Sequence, residues 1–339
     1  MSRARRFAGI VPVTLALLLA VSALSGCTSQ PVPGAGSKDA SPAVLPGKTS
    51  PIRIGVLPNE DSLPLFVAEK EGLFKKAGLD VKLVQFPSAA ERDAALTAGS
   101  IDAASGDIIA AALLTSRGFP VRITTLELGA TPKQGRFGIL AAKNSGLTSL
   151  KDLAKKGALA QSSGTLATYS ADKMLEQAGV DPKSVKRTEV KKLPVRFELL
   201  SQGKVPAAVL PEPMLSLGEK MGLKLLADDT RKENISQTVL YVSEKYLKTE
   251  GGTVTSDGLL VAWNEAVKAI NASPDAFRAL LVEKARLPEQ IATEYEINEY
   301  PEAQLPAREW VVAVLDWMKT NKLLGAPVTP GQLTGQPDQ

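Results

Sequence analysis

The chain has 339 residues, a formal net charge of +4, no histidine and a single cysteine. Without a basic stripe or an aromatic cluster, the composition does not favour nucleic acid as a partner. The lack of histidine excludes an imidazole base and a histidine metal site, and one cysteine excludes an intrachain disulfide and a thiolate metal site. We expect no catalytic residue, no metal and no cofactor.

The N-terminus has the features of an export signal. Arg3, Arg5 and Arg6 precede a nearly continuous apolar stretch over residues 7–24, which is typical of a secretory signal peptide. The stretch reaches only the lower length limit of a membrane-spanning helix. It is followed by Leu-Ser-Gly-Cys27, which resembles the lipobox of bacterial lipoproteins. We therefore predict a lipoprotein signal peptide over residues 1–26 and lipidation of Cys27.

Residues 27–50 are predicted to be a flexible tether. They are rich in Ser, Pro, Gly and Ala and contain few bulky apolar groups, so they cannot bury enough surface to offset the entropy lost on ordering. Lipid chains hold such a protein at a membrane. We expect an extracytoplasmic protein anchored at the outer face of the cytoplasmic membrane or within a periplasm, two alternatives that the sequence leaves open.

Strands and helices alternate from residue 52 onward. The predicted strands lie at 52–57, 81–86, 101–105 and 121–128, and the predicted helices at 63–78, 89–98 and 108–117. This alternation at short spacing indicates an α/β fold with a parallel-type sheet and crossover helices.

A second set of alternating elements follows. Strands are predicted at 138–142, 158–161, 185–190, 207–210, 223–227 and 238–242, and helices at 150–156, 166–178, 195–201 and 214–221. After residue 242 the pattern is helical to the end of the chain. The apolar spacing around Trp263, Trp310 and Trp317 favours core positions over ligand stacking. Two α/β units and a helical tail predict two lobes with a cleft between them, where ligands of such folds bind.

Several short motifs occur in the order found in a known family. They are residues 63–74 (LPLFVAEKEGLF), 95–102 (ALTAGSID), 150–153 (LKDL), 162–165 (SSGT), 199–208 (LLSQGKVPAA) and 210–213 (LPEP). Over residues 52–242 the chain resembles the ABC-transporter periplasmic solute-binding proteins for aliphatic sulfonates, nitrate, taurine and thiamine precursors. The resemblance implies a type II periplasmic-binding-protein fold with two crossings between the lobes. It places 51–137 and 238–339 in lobe 1 and 138–237 in lobe 2.

Candidate ligand-binding residues lie in the loops after strand ends. Backbone N–H groups at helix starts attract polar or anionic ligands. In the first lobe we select Asn59, Asp61, Ser62, Gly106 and Asp107, and in the second Ser162, Ser163, Gly164 and Thr165. The same residue types also cap helices or form exposed turns, so capping remains an alternative for Asp107, Ser163 and Thr165.

Two charged residues of the second half are further candidates. Glu212 lies between two prolines after an apolar strand and could accept from an amine or hydroxyl of the solute, or join a hydrogen bond at the hinge. Arg196 could pair with an anionic solute or be a surface charge on a short helix. Arg136, near the predicted crossing, is a weaker candidate. The charge of the solute is therefore open at this stage, with a small, polar, anionic organic molecule as the working hypothesis.

Three functions are compatible with these features. The resemblance implies a monomeric binding protein that captures a small-molecule solute (a sulfonate, nitrate-like anion or thiamine-precursor pyrimidine) and delivers it to an ABC permease and its ATPase. A ligand-sensing lipoprotein that reports to a receptor is the alternative. An enzyme on the same fold is disfavoured, because the similar pyrimidine synthases rely on histidine and a Cys-rich motif that this chain lacks.

Overall fold

The computed structural model describes residues 47–230 and 234–338. The predicted signal peptide, Cys27 and the tether up to residue 46 lie outside the described residues. The last residue of the predicted tether contacts the folded body: the backbone N–H of Ser50 donates to Thr255 Oγ1 at 2.9 Å. No helix within the described ranges is long and apolar enough to cross a membrane.

Within the described ranges, the strands form two five-stranded sheets. The strands of the first sheet are β1 (Ile52–Val56), β2 (Val81–Gln85), β3 (Ala103–Asp107), β4 (Val121–Leu128) and β10 (Thr238–Ser243). Those of the second sheet are β5 (Phe137–Ala141), β6 (Ala158–Gln161), β7 (Lys186–Glu189), β8 (Ala207–Pro211) and β9 (Lys224–Asp228). The strand orders are β2-β1-β3-β10-β4 and β7-β6-β8-β5-β9, so the two lobes share one topology.

The predicted α/β two-lobed fold is confirmed, but both sheets are mixed rather than wholly parallel. β10 runs antiparallel to β3 and β4, and β5 runs antiparallel to β8 and β9. The cause is the double crossing of the chain. β5 and β10 each follow a connection from the other lobe and enter their sheet at the carboxyl edge of its other strands, so they must run in the opposite direction.

Helices flank both sheets, which explains why the central strands are apolar and buried over nearly their whole length. Their bounds are α1 Leu63–Lys70, α2 Leu73–Lys76, α3 Ala89–Thr97, α4 Ile108–Ser116, α5 Leu150–Lys156, α6 Leu166–Gln177, α7 Leu193–Ser201, α8 Met214–Lys220, α9 Glu244–Leu247, α10 Gly252–Ala272, α11 Arg278–Lys284, α12 Glu289–Ala292, α13 Arg308–Thr320 and α14 Pro330–Thr334.

The prediction of one continuous helix over residues 63–78 was wrong, because the structure has two helices in this range. α1 ends at Lys70 and α2 begins at Leu73, because Gly72 between them has φ of 67°. This left-handed conformation is open to glycine and interrupts the helical hydrogen bonds. The break turns α2 so that the buried side chain of Phe74 joins the core of the first lobe.

Helices α10 and α13 pack against the helices and strands of the first sheet. Trp263 of α10 is fully buried in the first core, and α13 buries Trp317 against α4. Trp317 also contacts the second lobe. Its indole Nε1–H donates to Asp172 Oδ2 of α6 at 3.0 Å, and its ring meets Tyr169 edge-on at a centroid distance of 5.3 Å. Helix α13 therefore links the two lobes through this hydrogen bond and this aromatic pair.

Replacing Trp317 by Phe should lower the stability of the chain measurably. The variant keeps an aromatic ring beside Tyr169 but removes the donor to the buried carboxylate of Asp172. Loss of one such charged hydrogen bond should cost about 1–2 kcal/mol in the free energy of unfolding, measured by urea denaturation. Trp310→Phe is the matched control, because Trp310 is partly exposed. Equal stability of the two variants would contradict this role of Trp317.

Candidate functional site

A cavity of about 260 Å³ lies at the carboxyl ends of the parallel strands of both sheets. The first lobe supplies residues that follow β1 and β2 together with the last three residues of β3, and the second lobe supplies residues that follow β6, β7 and β8. The starts of the two antiparallel strands, Phe137 and Thr238, complete its wall. This is the edge at which open α/β sheets bind ligands, and the volume suits a small molecule.

Eight of the eleven predicted ligand-binding residues line this cavity. They are Asn59, Asp61, Gly106, Asp107, Ser162, Thr165, Arg196 and Glu212. The topology thus brings together residues that are more than 150 positions apart in sequence. Whether each of them contacts a solute stays a prediction.

The other three predicted residues do not line the cavity. Ser62 is fully buried and donates to Ser105 Oγ at 3.2 Å. Ser163 points to β7, because its backbone N–H and its hydroxyl both donate to Glu189 Oε2, at 3.0 and 2.6 Å. Gly164 lies beside them with φ of 70°, where it supplies the turn that leads into α6.

The capping alternative holds for one of the three residues for which it was left open. Asp107 Oδ1 accepts from the backbone N–H of Ala110 at 2.7 Å and caps α4. Thr165 stands at the N-cap of α6, but its hydroxyl donates to the carbonyl of Ser162 at 2.7 Å and makes no cap bond. Ser163 makes no cap bond either, because its side chain is engaged with Glu189.

Arg196 is not the surface charge that one sequence interpretation allowed. Arg196 is only 4% exposed. Its Nε donates to the carbonyl of Val190 at 3.0 Å, and its Nη1 donates to the carbonyl of Val209 at 2.9 Å. Burial lowers the pKa of this guanidinium to about 10. Two of its nitrogens therefore fix the loop after β7 against β8, next to the cavity wall.

Glu212 takes part in an ion network at the crossings. Arg136, on the first crossing, lies 3.2 Å from Glu212, 2.7 Å from Glu219 and 2.9 Å from Asp228. Glu212 also accepts from the hydroxyl of Ser216 at 2.9 Å. Burial raises the pKa of Glu212, while Ser216 and Arg136 act in the opposite direction. Glu212 thus forms hydrogen bonds beside the crossings, and it also lines the cavity; its contact with a solute stays a prediction.

The two crossings are joined directly. The side-chain amide of Asn234 donates to the carbonyls of Gln134 and Gly135, and the backbone N–H of Phe137 donates to Asp229 Oδ1 at 2.9 Å. These bonds hold the two connecting segments side by side.

The wall also contains residues that the sequence did not single out. Glu60, in the turn after β1, is 5% exposed and accepts from Tyr295 Oη and from Asn298 Nδ2, the latter at 2.9 Å. Arg92 is a buried cation of α3, where it shares the inward face with Leu96. A charged residue four positions before a core leucine was the available signal for Arg92. Glu60 lies in the same turn as the predicted Asn59 and Asp61, so that turn was its local signal, while the partners of its carboxylate lie 235 positions or more away.

The carboxyl groups of the first lobe are strongly perturbed. Burial, then the nearby charge of Glu212, raises the pKa of Glu60 to about 8. Burial, then the charge of Asp107, raises the pKa of Asp61 to about 7. Titratable groups displaced this far and gathered at one cleft are typical of functional sites. Among the described residues, no group of His, Cys, Asp and Glu is arranged to hold a metal ion.

The fold is that of the periplasmic binding proteins, and the solved structures agree. It superposes on the periplasmic aliphatic sulphonate binding protein SsuA from Escherichia coli with a TM-score of 0.69 at 22% identity, covering 86% of this chain and 94% of that one. It superposes on the periplasmic nitrate-binding protein NrtA from Synechocystis PCC 6803 with a TM-score of 0.68 at 17% identity, covering 84% of each chain.

The family follows from a sequence match over most of the folded body. The NMT1/THI5-like family model matches residues 59–277, more than half of the chain, and the chain belongs to this family. A protein of Brachyspira hyodysenteriae whose name describes an ABC transporter periplasmic binding protein is 23% identical over 242 residues, or 68% of each chain. The resemblance inferred from the short motifs is thereby confirmed.

Replacing Arg136 by Gln should destabilise the chain strongly. The change removes one cation that contacts three carboxylates, of which Glu212 is only 7% exposed. Breaking a buried pair by removing one partner typically costs about 3–5 kcal/mol, and we expect about 2–4 kcal/mol because Arg136 is partly exposed. Urea denaturation at pH 7 measures the loss. Lys133→Gln, an exposed position on the same crossing, should change stability by less than about 0.5 kcal/mol; a similar small change in Arg136→Gln would contradict the network's role.

Proposed function

We propose that this protein is the extracytoplasmic, lipid-anchored solute-binding component of an ABC importer. The observation that carries the proposal is the cavity between two lobes of matching topology, joined by two crossings and walled by polar groups from both sheets. A small polar solute enters this cavity, the lobes close about the crossings, and the loaded protein delivers the solute to a permease driven by its ATPase. The protein acts as a monomer, and no bond of the solute is made or broken.

The relatives define the first solutes to test. SsuA is a sulphonate-binding protein and NrtA a nitrate-binding protein, as their names state, and the motif resemblance adds pyrimidine precursors of thiamine. A binding role rather than an enzymatic one is supported by the family and by the residues available. The chain has no histidine, and its single cysteine precedes the folded body.

Cys27 anchors the protein in this account. It follows Leu-Ser-Gly after an apolar leader, and a lipid chain contributes about 0.8 kcal/mol of membrane affinity per buried methylene. The segment up to residue 46 then separates the anchor from the body, so the cavity can reach a permease in the same membrane.

A thermal-shift screen tests the proposed function. The mature chain, residues 27–339 carrying Cys27→Ser to keep it out of membranes, is heated with sulfonates, nitrate, pyrimidines, flavins, amino acids and amines. A solute at 100 times its Kd should add about 2.7 kcal/mol to stability, which raises Tm by a few degrees. One stabilising chemical class is the expected result. A flat profile across all classes would count against a solute-binding role.

Lipidation of Cys27 is tested in cells that process bacterial lipoproteins. The full chain should partition into the membrane fraction, and mass spectrometry should find a diacylglyceryl group on Cys27. Cys27→Ser should abolish both, whereas Ser29→Ala, two residues further on, should leave both unchanged. A full chain with an unmodified Cys27 in the soluble fraction would contradict the anchor.

A further inference from the structure

The first-lobe wall of the cavity carries an excess of carboxyl groups. Glu60, Asp61 and Asp107 line it, and the fully buried Glu127 lies behind them, held by the hydroxyl of Ser105 at 2.8 Å. We call these four residues the acidic wall. Their charges act on one another: Asp107 raises the pKa of Asp61, and Asp61 raises that of Glu127, in each case after the effect of burial.

Among the described first-lobe residues that line the cavity, the buried cation near the acidic wall is Arg92. Arg92 is 1% exposed, and its Nη1 and Nε already donate to the carbonyl of Ser105 at 2.6 Å and to Asp93 Oδ1 at 2.9 Å. The first lobe's other cavity-lining cation, Arg286, is exposed. The single guanidinium of Arg92 pairs with Asp93 and is shared with Asp61, Asp107 and Glu127, which leaves the acidic wall short of positive charge.

The other cations that line the cavity either bond to groups of the protein or are exposed to solvent. Two nitrogens of Arg196 donate to backbone carbonyls, and Arg136, on the first crossing, contacts three carboxylates of the second lobe. Lys191 is exposed. The carboxyl groups in or directly behind the cavity wall thus outnumber its cations that are not exposed, and this excess disfavours the anionic solute of the working hypothesis. The carboxyl groups are those of Glu60, Asp61, Asp107, Glu127 and Glu212, and the cations are Arg92, Arg136 and Arg196.

A second feature of the wall points to a ligand. Thr238, the first residue of β10, lines the cavity, is 5% exposed and pairs in register with Asp107. Among the described residues, its hydroxyl has no hydrogen-bond partner. Buried hydroxyls are nearly always paired, so a group that occupies the cavity beside Asp107 would complete this site.

We propose that the solute is an organic base, bearing an amine, amidine or guanidine group that donates hydrogen bonds to Asp61 and Asp107. The inference rests on the proposed function, because it names the class of solute that the cleft takes. A cationic donor supplies the positive charge that the acidic wall lacks, and a neighbouring polar atom of the solute pairs with Thr238. Asp61 and Asp107 are then the residues that determine specificity, and the exposed Lys191 and Arg286 lie at the mouth.

Two substitutions separate charge from shape. Asp61→Asn and Asp107→Asn keep the size of each side chain, and an asparagine also serves as an N-cap, so α4 should keep its start. Asp80→Asn, an exposed aspartate of the same lobe, is the matched control. Thermal melts of the three variants without solute check that each one folds.

The experiment compares bases with matched acids on the mature chain carrying Cys27→Ser. The probes are benzamidine and benzoate, ethanolamine and glycolate, and putrescine and succinate, measured by thermal shift and calorimetry. We expect at least one base to bind and its matched acid not to bind. Asp61→Asn and Asp107→Asn should each weaken that base at least tenfold, and Asp80→Asn should not.

The outcomes distinguish this inference from the proposed function. If a sulfonate, nitrate or another anion binds and the bases do not, the inference is overturned while the binding role stands. The inference is also overturned, and the binding role also stands, if a base binds the Asp61→Asn and Asp107→Asn variants as tightly as it binds the unsubstituted chain. If no solute of any charge binds, the proposed function fails and the inference fails with it.

Discussion

The double crossing of the chain is the constraint on which the rest of this structure depends. Because β5 and β10 each arrive from the other lobe, each enters its sheet at the carboxyl edge and runs against its neighbours. The carboxyl ends of eight parallel strands therefore face one another across a single gap. Every polar loop that follows those strands is directed to that gap, and the Arg136 network and Asn234 fix the segments that join the lobes.

Desolvation determines the chemistry of the gap. Carboxyl groups withdrawn from water lose hydration that only a cation or hydrogen-bond donors can replace. On the second lobe, Arg136 supplies that replacement for Glu212. On the first lobe, Glu60 accepts from two donors of the C-terminal segment. Asp61 accepts from the side chain of Asn59 and Asp107 from the backbone N–H of Ala110, and these two carboxyl groups lie near each other with Arg92 as a shared cation. The same burial that makes these groups costly to charge makes them selective for a solute that brings charge of the opposite sign.

Local patterns predicted most of the fold and part of the site. Strand β4 and helix α5 begin and end where the sequence placed them, since alternating or capped segments are specified by neighbouring residues. The two-lobed architecture came from ordered motifs. The antiparallel direction of β5 and β10 could not be predicted from periodicity, which is the same for both directions. Eight candidate residues line the cavity because strand ends are recognisable. The burial and the partners of Glu60, and the position of Thr238 in the wall, could not be predicted because they depend on segments distant in the chain.

The most direct test of the account is the distance between the two lobes with and without solute. Nitroxides at Ala90→Cys and Lys192→Cys, exposed positions next to cavity-lining residues of the first and second lobe, report that distance by double electron–electron resonance in the mature chain carrying Cys27→Ser. The account predicts that the most stabilising solute shortens or narrows the distance distribution and that Arg136→Gln weakens this effect. An identical distribution at saturating solute would contradict closure of the lobes around a ligand.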